Sequence, residues 1–233
     1  VFRLPVLIPA LSAAVVACLL IVLFPSLTPR PPAAVEKGFA GVTASLVSGE
    51  VTVSAGEETR TLFPGVSLDT GTVVSTETDA TCDIALGASS FLRLHENGSL
   101  ELSSEEGRPV VRLFRGTLAV RFTPGERPFP LRILTERCLI EVTGTVFTVT
   151  VTGDRTTRIS LLTGTLAVTA EHDGKKERHT VEPGQGVVIG GGETPPLFFP
   201  LDGEERALLL AVANRKELLP ADPSRSVICT VRT

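Results

Sequence analysis

The stretch LFRGTLAV at residues 113–120 returns as LLTGTLAV at residues 161–168, and this repeat decides the fold. A longer and looser copy relates residues 45–65 to residues 160–184. Each longer unit predicts a strand, a glycine, a second strand, a hairpin turn, a third strand and a Pro-Gly turn. A glycine between two apolar runs permits the bend or bulge that carries a strand from one sheet to another. The repeat therefore predicts the corners of a jelly-roll-like β-sandwich or a short β-solenoid.

Around the repeat, apolar residues alternate with mostly polar ones. The alternation is clear in residues 80–86 and 138–143, and short runs of this kind are typical of half-buried strands. Asn97-Gly98 stands between two apolar runs, which is a tight-turn signal. No window in residues 41–190 has a convincing helical period, so the sequence predicts an all-β domain over residues 41–190.

One strand of this domain has an irregular pattern. Val142, Val146 and Phe147 cannot all face the same side of a strand if its side chains alternate strictly. We therefore expect Gly144 to mark a bulge or corner that resets the alternation, in a conformation that a side chain would disturb. We expect Phe147 to be an anchor of the core.

The N-terminal segment, residues 4–24, contains no charged residue and has the length of a membrane-spanning helix. Three interpretations stay open: an uncleaved anchor, which we prefer; a signal peptide cut near Ala33 and Ala34; and a lipoprotein modified at Cys18. Residues 25–37 begin with a proline-rich stretch and predict a stiff linker that holds the next domain away from the membrane.

Residues 203–219 predict a short C-terminal helix, because acidic residues lead, an apolar run follows and basic residues close it before Pro220. This helix is too short and too charged at its ends to be a second membrane span. It can pack on the β-domain, which we prefer, or dock a partner. Residues 226–231 can form one further strand.

The order of these elements resembles the FecR family. The resemblance covers residues 42–188 and is carried by residues 49–53, 62–65, 68–76, 92–102, 127–131, 142–149, 164–168 and 183–185. The most diagnostic part is a Pro-Phe approach followed by Gly144-Thr145-Val146-Phe147-Thr148-Val149. The resemblance implies an inner-membrane protein that senses an envelope partner and regulates a sigma factor. No cytoplasmic anti-sigma region is visible before the predicted span, and no receptor-contacting module is obvious after residue 200.

The sequence lacks the signals of nucleic-acid binding, metal ligation and nucleophilic catalysis. The net charge is −4, and Lys and Arg form no dense patch, so nucleic-acid binding is not expected. His95, His172 and His179 have no Cys or carboxylate at a spacing that suggests metal ligation. No Ser or Thr lies in a nucleophile motif. The sequence therefore predicts no catalytic, cofactor-binding or metal-ligating residue, and no cofactor.

The four cysteines leave the redox state open. Cys82 and Cys138 occupy inward strand positions, where a buried free thiol is expected. A disulfide between them is the alternative in an oxidising compartment, since a bridge requires Cα atoms within ~7 Å. Cys18 lies in the apolar segment, and the state of Cys229 stays open.

We therefore expect a non-enzymatic signalling or scaffold protein of the cell envelope. It would be anchored in the inner membrane by residues 4–24, with its β-domain in the periplasm and an envelope protein as partner. The alternative is an envelope module that binds carbohydrate, either peptidoglycan or another glycan, since jelly-roll-like domains often bind glycans. The absence of Trp and Tyr, two of the usual sugar-stacking side chains, counts against this alternative.

Overall fold

The structure is a computed structural model that describes residues 39, 41–106, 108–123, 125, 130–172, 174–191 and 194–214. The segments outside these residues include the predicted membrane anchor 4–24, the linker 25–37, the Pro-Phe approach at 128–129, the end of the predicted C-terminal helix at 215–219, the possible strand 226–231, and Cys18 and Cys229. Within the described part of the chain, no helix combines the length and hydrophobicity needed to cross a membrane.

The described chain is mostly β-sheet and ends in one short helix, which confirms the all-β prediction with its C-terminal helix. The strands are β1 Thr43–Ser48, β2 Val51–Ala55, β3 Glu58–Thr61, β4 Thr72–Thr76, β5 Thr81–Ala85, β6 Phe91–Leu94, β7 Ser99–Glu105, β8 Arg108–Phe122, β9 Leu131–Leu134, β10 Cys138–Val142, β11 Thr145–Val151, β12 Thr157–Thr163, β13 Leu166–His172, β14 Lys175–Val181, β15 Gln185–Ile189 and β16 Leu197–Pro200. The helix, α1, spans Gly203–Ala213.

The strands form two layers that share β8. Layer A has the order β1-β5-β6-β8-β11-β12-β15-β16, and layer B has the order β3-β2-β4-β7-β8-β9-β10-β13-β14. All of these pairs are antiparallel except β8 with β9. Both layers contribute to one buried apolar cluster, so the core lies between them.

The glycines of the short repeat form corners between the layers. The part of β8 before Gly116 pairs with β7 and β9 in layer B, and the part after it pairs with β6 and β11 in layer A. Gly164 carries the chain from β12 in layer A to β13 in layer B. Both glycines have positive φ, +85° and +86°. A Cβ on Gly116 would lie 2.6 Å from Gly98 Cα, and one on Gly164 would clash with the carbonyl oxygen of Gly144. The predicted corners are confirmed.

The two copies of the looser repeat end in the same way, with a hydrogen bond from the Pro-Gly turn to the first strand of the unit. After β3, the N–H of Gly65 donates to the carbonyl oxygen of Ala44 at 2.7 Å. After β14, the N–H of Gly184 donates to the carbonyl oxygen of Leu161 at 2.9 Å. Each Pro-Gly turn therefore returns the chain from layer B to the strand with which its unit began, β1 or β12 in layer A.

The expectations for the irregular strand are also confirmed. Gly144 has a φ of +141° and lies between β10 in layer B and β11 in layer A. The register of β11 against β12 also shifts between Val146 and Phe147, where the extra residue is Leu162 of β12. The corner at Gly144 is therefore what resets the alternation in β11. Phe147 is 0% exposed and is the largest fully buried side chain among the described residues.

Candidate interaction surface

The outward side of layer A is covered by α1, which lies across β8, β11 and β12. Ala119, Thr148 and Ser160 form one row across these strands, paired in register. They point away from the core, yet they are 0%, 8% and 3% exposed. Their side chains are small, and Leu209 and Val212 of α1 are buried as well. The prediction that the helix packs on the β-domain is therefore confirmed.

Both ends of α1 are fixed to the layer beneath it. At its start, Asp202 caps the helix in a capping box with Glu205. Glu205 Oε1 accepts hydrogen bonds from Arg158 Nε at 2.9 Å, Arg158 Nη2 at 2.6 Å and Ser160 Oγ at 3.1 Å. At its end, Arg121 Nη1 donates to the carbonyl oxygen of Ala213 at 3.2 Å. A cation at the C-terminus of a helix also interacts favourably with the helix dipole.

The outward side of α1 is apolar and exposed. Ala207, Leu208, Leu210 and Ala211 make up this surface, hereafter the α1 face. The two leucines are 45% and 44% exposed. An ordinary surface helix presents polar residues to the solvent on this side. An exposed apolar patch of this kind is typical of a protein contact.

The neighbouring edge strand β16 also exposes apolar side chains, but its backbone is poorly suited to pairing. The N–H of Leu201 donates to the carbonyl oxygen of Gly184, directly before β15, at 2.9 Å. Backbone donors toward β15 therefore occur at every second residue counted back from Leu201. The N–H of Phe198 therefore points to the free edge, together with the positions of Pro196 and Pro200, which have no N–H. Prolines at such positions protect an edge against added strands. The α1 face is thus better suited to docking a partner than the free edge of β16 is.

Two further contacts fasten β16 to the fold. The guanidinium carbon of Arg158 lies 3.9 Å from the centre of the Phe199 ring, so Arg158 joins β16 to α1 through Glu205. The ring of Phe198 meets His179 of β14 edge to face, with 5.9 Å between ring centres.

The outward side of layer B carries ion pairs, and the one helix of the described residues lies on layer A. Arg112 lies 2.6 Å from Glu105, which also pairs with Arg132 at 3.4 Å. Farther along the layer, Arg178 lies 2.9 Å from Glu141. These side chains are partly exposed, which is the ordinary state of a solvated sheet face.

An ion pair with a buried carboxylate lies toward the opposite end of layer A from β16. Asp83 on β5 is 0% exposed, and its two carboxylate oxygens accept from Nε and Nη2 of Arg93 on β6, at 2.7 and 3.1 Å. Burial raises the pKa of Asp83 above its ordinary value, and the ion pair with Arg93 offsets part of that rise. Burial and the charge of Arg93 lower the pKa of His95, which favours its neutral form at pH 7.

The two described cysteines are buried free thiols, as expected from their strand positions. Burial raises the pKa of Cys82 to about 12, with the charge of Asp83 as the second cause. Burial also raises the pKa of Cys138 to about 11. Both thiols are therefore protonated at neutral pH, and neither supplies the thiolate that nucleophilic chemistry requires.

The three histidines lie on different elements. His95 follows β6, His172 ends β13 and His179 lies within β14. Within the described ranges, no cluster of three or more His, Cys, Asp or Glu side chains could hold a metal ion.

Two crevices lie on the described surface. One, of about 360 Å³, lies between the β2–β3 hairpin and residues 67–72, and Glu58, Arg60 and Asp69 line it. None of its described lining residues is aromatic. The other, of about 260 Å³, lies beside Phe114, which is 53% exposed.

Comparisons with known proteins identify a relationship for the central part of this fold. Residues 72–167 match the model of a family described as "FecR protein". These residues run from the start of β4 into β13, and therefore include β8 and strands of both layers. No curated protein gives a significant match.

Solved structures with a similar fold include two crystal structures described as "a putative anti-sigma factor" from Parabacteroides distasonis. One is 15% identical with a TM-score of 0.49, and the other is 16% identical with a TM-score of 0.50. Each match covers 59% of this chain and 63% or 64% of the neighbour, so the chain spans just under two thirds of the neighbours' length. At this identity the likeness concerns the fold alone.

Proposed function

Since this chain carries a FecR domain at residues 72–167, we propose that it is a non-enzymatic regulator of envelope signalling of the sigma-factor-linked kind. The match to the FecR family carries this proposal. The matched residues 72–167 include strands of both layers, so the match concerns the body of the domain. Two features of the described residues support a role in binding. The α1 face is apolar and exposed, and the buried thiols and separated histidines offer little to a reaction.

The proposal includes a location. Residues 4–24 anchor the chain in the inner membrane, the linker 25–37 follows, and the FecR-like domain over residues 41–190 and the helix at 203–219 lie in the periplasm. The uncharged segment 4–24 supports this arrangement, since its length matches the hydrocarbon core of a bilayer.

Fractionation and mass measurement test the location. The chain should remain with membranes in high salt and leave them in detergent, with residues 4–24 still attached. A soluble form that begins near Val35 would show signal cleavage instead. A diacylglyceryl mass on Cys18 would show a lipoprotein.

Deletion of the gene in its host tests the signalling role. Transcript levels should change for a group of genes that share one sigma factor, and the full-length chain should restore them. Unchanged transcription under envelope stress and nutrient limitation would contradict the proposal. Saturable retention of the purified chain by peptidoglycan, without a transcriptional effect, would instead favour the glycan-binding alternative.

A further inference from the structure

The looser repeat gives the two ends of layer A a common plan, but the two ends differ in one feature. After the second Pro-Gly turn, β15 pairs with β12, and β16 covers the outer edge of β15. After the first Pro-Gly turn, residues 66–69 take the place of β15, since they run along β1. No described strand covers the outer side of residues 66–69, hereafter the 66–69 edge. The second copy therefore shows which kind of segment fits such an edge.

The equivalence between the two copies extends to single residues. Counted from the glycine of each Pro-Gly turn, Leu68 matches Val187. Both side chains are 1% exposed and belong to the common core. On the adjoining end of layer B, the same count matches Arg60 of β3 with His179 of β14. The surroundings of the 66–69 edge can therefore be compared directly with those of β15.

The backbone of the 66–69 edge is available for pairing. The N–H of Leu68 and the carbonyl oxygen of Val66 form hydrogen bonds toward β1, at 3.0 and 2.9 Å. Because the direction alternates along a strand, the N–H groups of Ser67 and Asp69 point away from β1. Within the described ranges these two N–H groups have no backbone partner. The groups of β15 in the same positions are those that pair with β16. Such an edge accepts an added strand.

A crevice lies inside this edge, at the place where the second copy holds an aromatic ring. In the second copy, Phe198 of β16 lies opposite Val187, and its ring meets His179 edge to face. In the first copy, the corresponding space is the crevice of about 360 Å³ between β3 and residues 67–72, and Arg60 lines it. Since Arg60 takes the place of His179, an aromatic ring that enters the crevice would meet a guanidinium group. Contact between a guanidinium and an aromatic ring is favourable.

We propose that the 66–69 edge binds an extended segment of a partner protein, which adds a strand to layer A and places an aromatic side chain in the crevice beside Arg60. The segment runs antiparallel to residues 66–69, as β16 does to β15. The residue after the aromatic one has a small side chain. In the second copy that residue is Phe199, which lies over Gly186, where a Cβ would clash with the ring. Ser67 stands in the place of Gly186 and has a Cβ.

The occupant is a different protein rather than a second copy of this chain. Among the described strands, β16 has the matching aromatic residue, but it already pairs with its own β15, and Phe199 does not suit the position opposite Ser67. The inference deepens the proposed signalling role and rests on it for the existence of an envelope partner. Binding is measured on the purified chain, so a failure to bind would remove this site and leave the transcriptional test of the signalling role unaffected.

A synthetic peptide with the sequence of residues 196–202 and the change Phe199→Ala is the probe. Phe198 of the peptide can enter the crevice, and a small side chain then lies opposite Ser67. Its two prolines lack N–H groups on the far edge alone, which limits pairing between peptides. Fluorescence anisotropy of the labelled peptide with the full-length chain in mild detergent should show saturable binding. The further change Phe198→Ala in the peptide should weaken binding at least about tenfold, because it removes the main apolar contact.

Two variants of the chain locate the site. Arg60→Ala should weaken peptide binding about threefold through loss of the contact with the ring. Arg115→Ala is the matched control, since Arg115 is also exposed but lies on the central strand β8, and it should leave binding unchanged. Ser67→Pro should abolish binding, because it removes an N–H that points to the free edge. Bound peptide should also slow the amide hydrogen exchange of Ser67 and Asp69, and circular dichroism confirms that the variants are folded.

Several results would overturn the proposal. The wild type could show no saturable binding, or Arg60→Ala and Ser67→Pro could leave binding unchanged. Faster hydrogen exchange at residues 197–200 on addition of peptide would mean that the peptide displaces β16 instead. Self-association of the chain that Ser67→Pro abolishes, without binding of the peptide, would assign the 66–69 edge to a second copy of the chain.

Discussion

The two layers enclose one core, but they turn different surfaces outward. Layer A carries a row of small side chains, Ala119, Thr148 and Ser160, buried beneath a helix that is fixed at both ends. Layer B carries ion pairs such as that of Arg178 with Glu141, which remain in contact with water. A polar contact beneath α1 has lost solvent that would compete with it, whereas a contact on layer B has not. Loss of one polar side chain should therefore cost more on layer A.

The largest loss of unfolding free energy is expected for a substitution in the core, beneath both faces. Replacement of Phe147 with Ala should lower the free energy of unfolding by ~3–5 kcal/mol, because the substitution removes buried apolar surface and leaves a cavity. Chemical and thermal denaturation of the purified chain measure this cost. Phe63→Ala is the control, since Phe63 is 63% exposed and should be nearly neutral. A Phe147→Ala variant that melts within a degree or two of the wild type would show that the residue is peripheral.

The corners between the layers come next. Gly164→Ala should destabilise the chain by about 1–3 kcal/mol from the left-handed backbone alone, and by more through the clash of the new Cβ with the backbone of Gly144. Gly153→Ala is the matched control, because a Cβ there meets nothing within 4 Å. Equal stability of the two variants would mean that the corner is not a constraint on the fold.

The corners could be predicted from the sequence because their signal is local. A glycine between two alternating runs interrupts the period of two, and the repeat places that interruption at Gly116 and again at Gly164. Only glycine tolerates such a conformation next to another backbone. The same reasoning located Gly144, since Val142 and Phe147 could not otherwise both be buried.

The surface beneath α1 was harder to predict because its partners are distant in sequence. The residues of α1 from Ala207 to Ala213 are all apolar, so the helix has no polar side that would show which side packs. The contact between Glu205 and Arg158 fixes which side of α1 faces the sheet, and these two residues are 47 positions apart in the sequence. The Asp202–Glu205 capping box indicates where the helix begins rather than which side is covered.

The anchor of α1 tests the layer A side of the comparison. Glu205→Ala should cost about 1–3 kcal/mol, because it removes charge-assisted hydrogen bonds to Arg158, the bond from Ser160 and half of the capping box. Faster hydrogen exchange confined to α1 would show that the loss is local. A change in unfolding free energy below about 0.5 kcal/mol would indicate that the apolar contacts of Leu209 and Val212 hold the helix without this anchor.

The smallest effect belongs to layer B. Glu141→Ala should cost no more than about 1 kcal/mol, because its partner Arg178 is 65% exposed and water competes for both groups. The two glutamates make a matched pair, since each is the carboxylate of an arginine ion pair on the outward side of a sheet. Denaturation in low and high salt distinguishes the cost of Glu141→Ala from that of Glu205→Ala. The cost of Glu141→Ala should shrink as salt is added, whereas that of Glu205→Ala should persist, since its hydrogen bonds and cap are partly shielded from solvent. Equal costs at both positions, with the same salt dependence, would remove the distinction between the two faces.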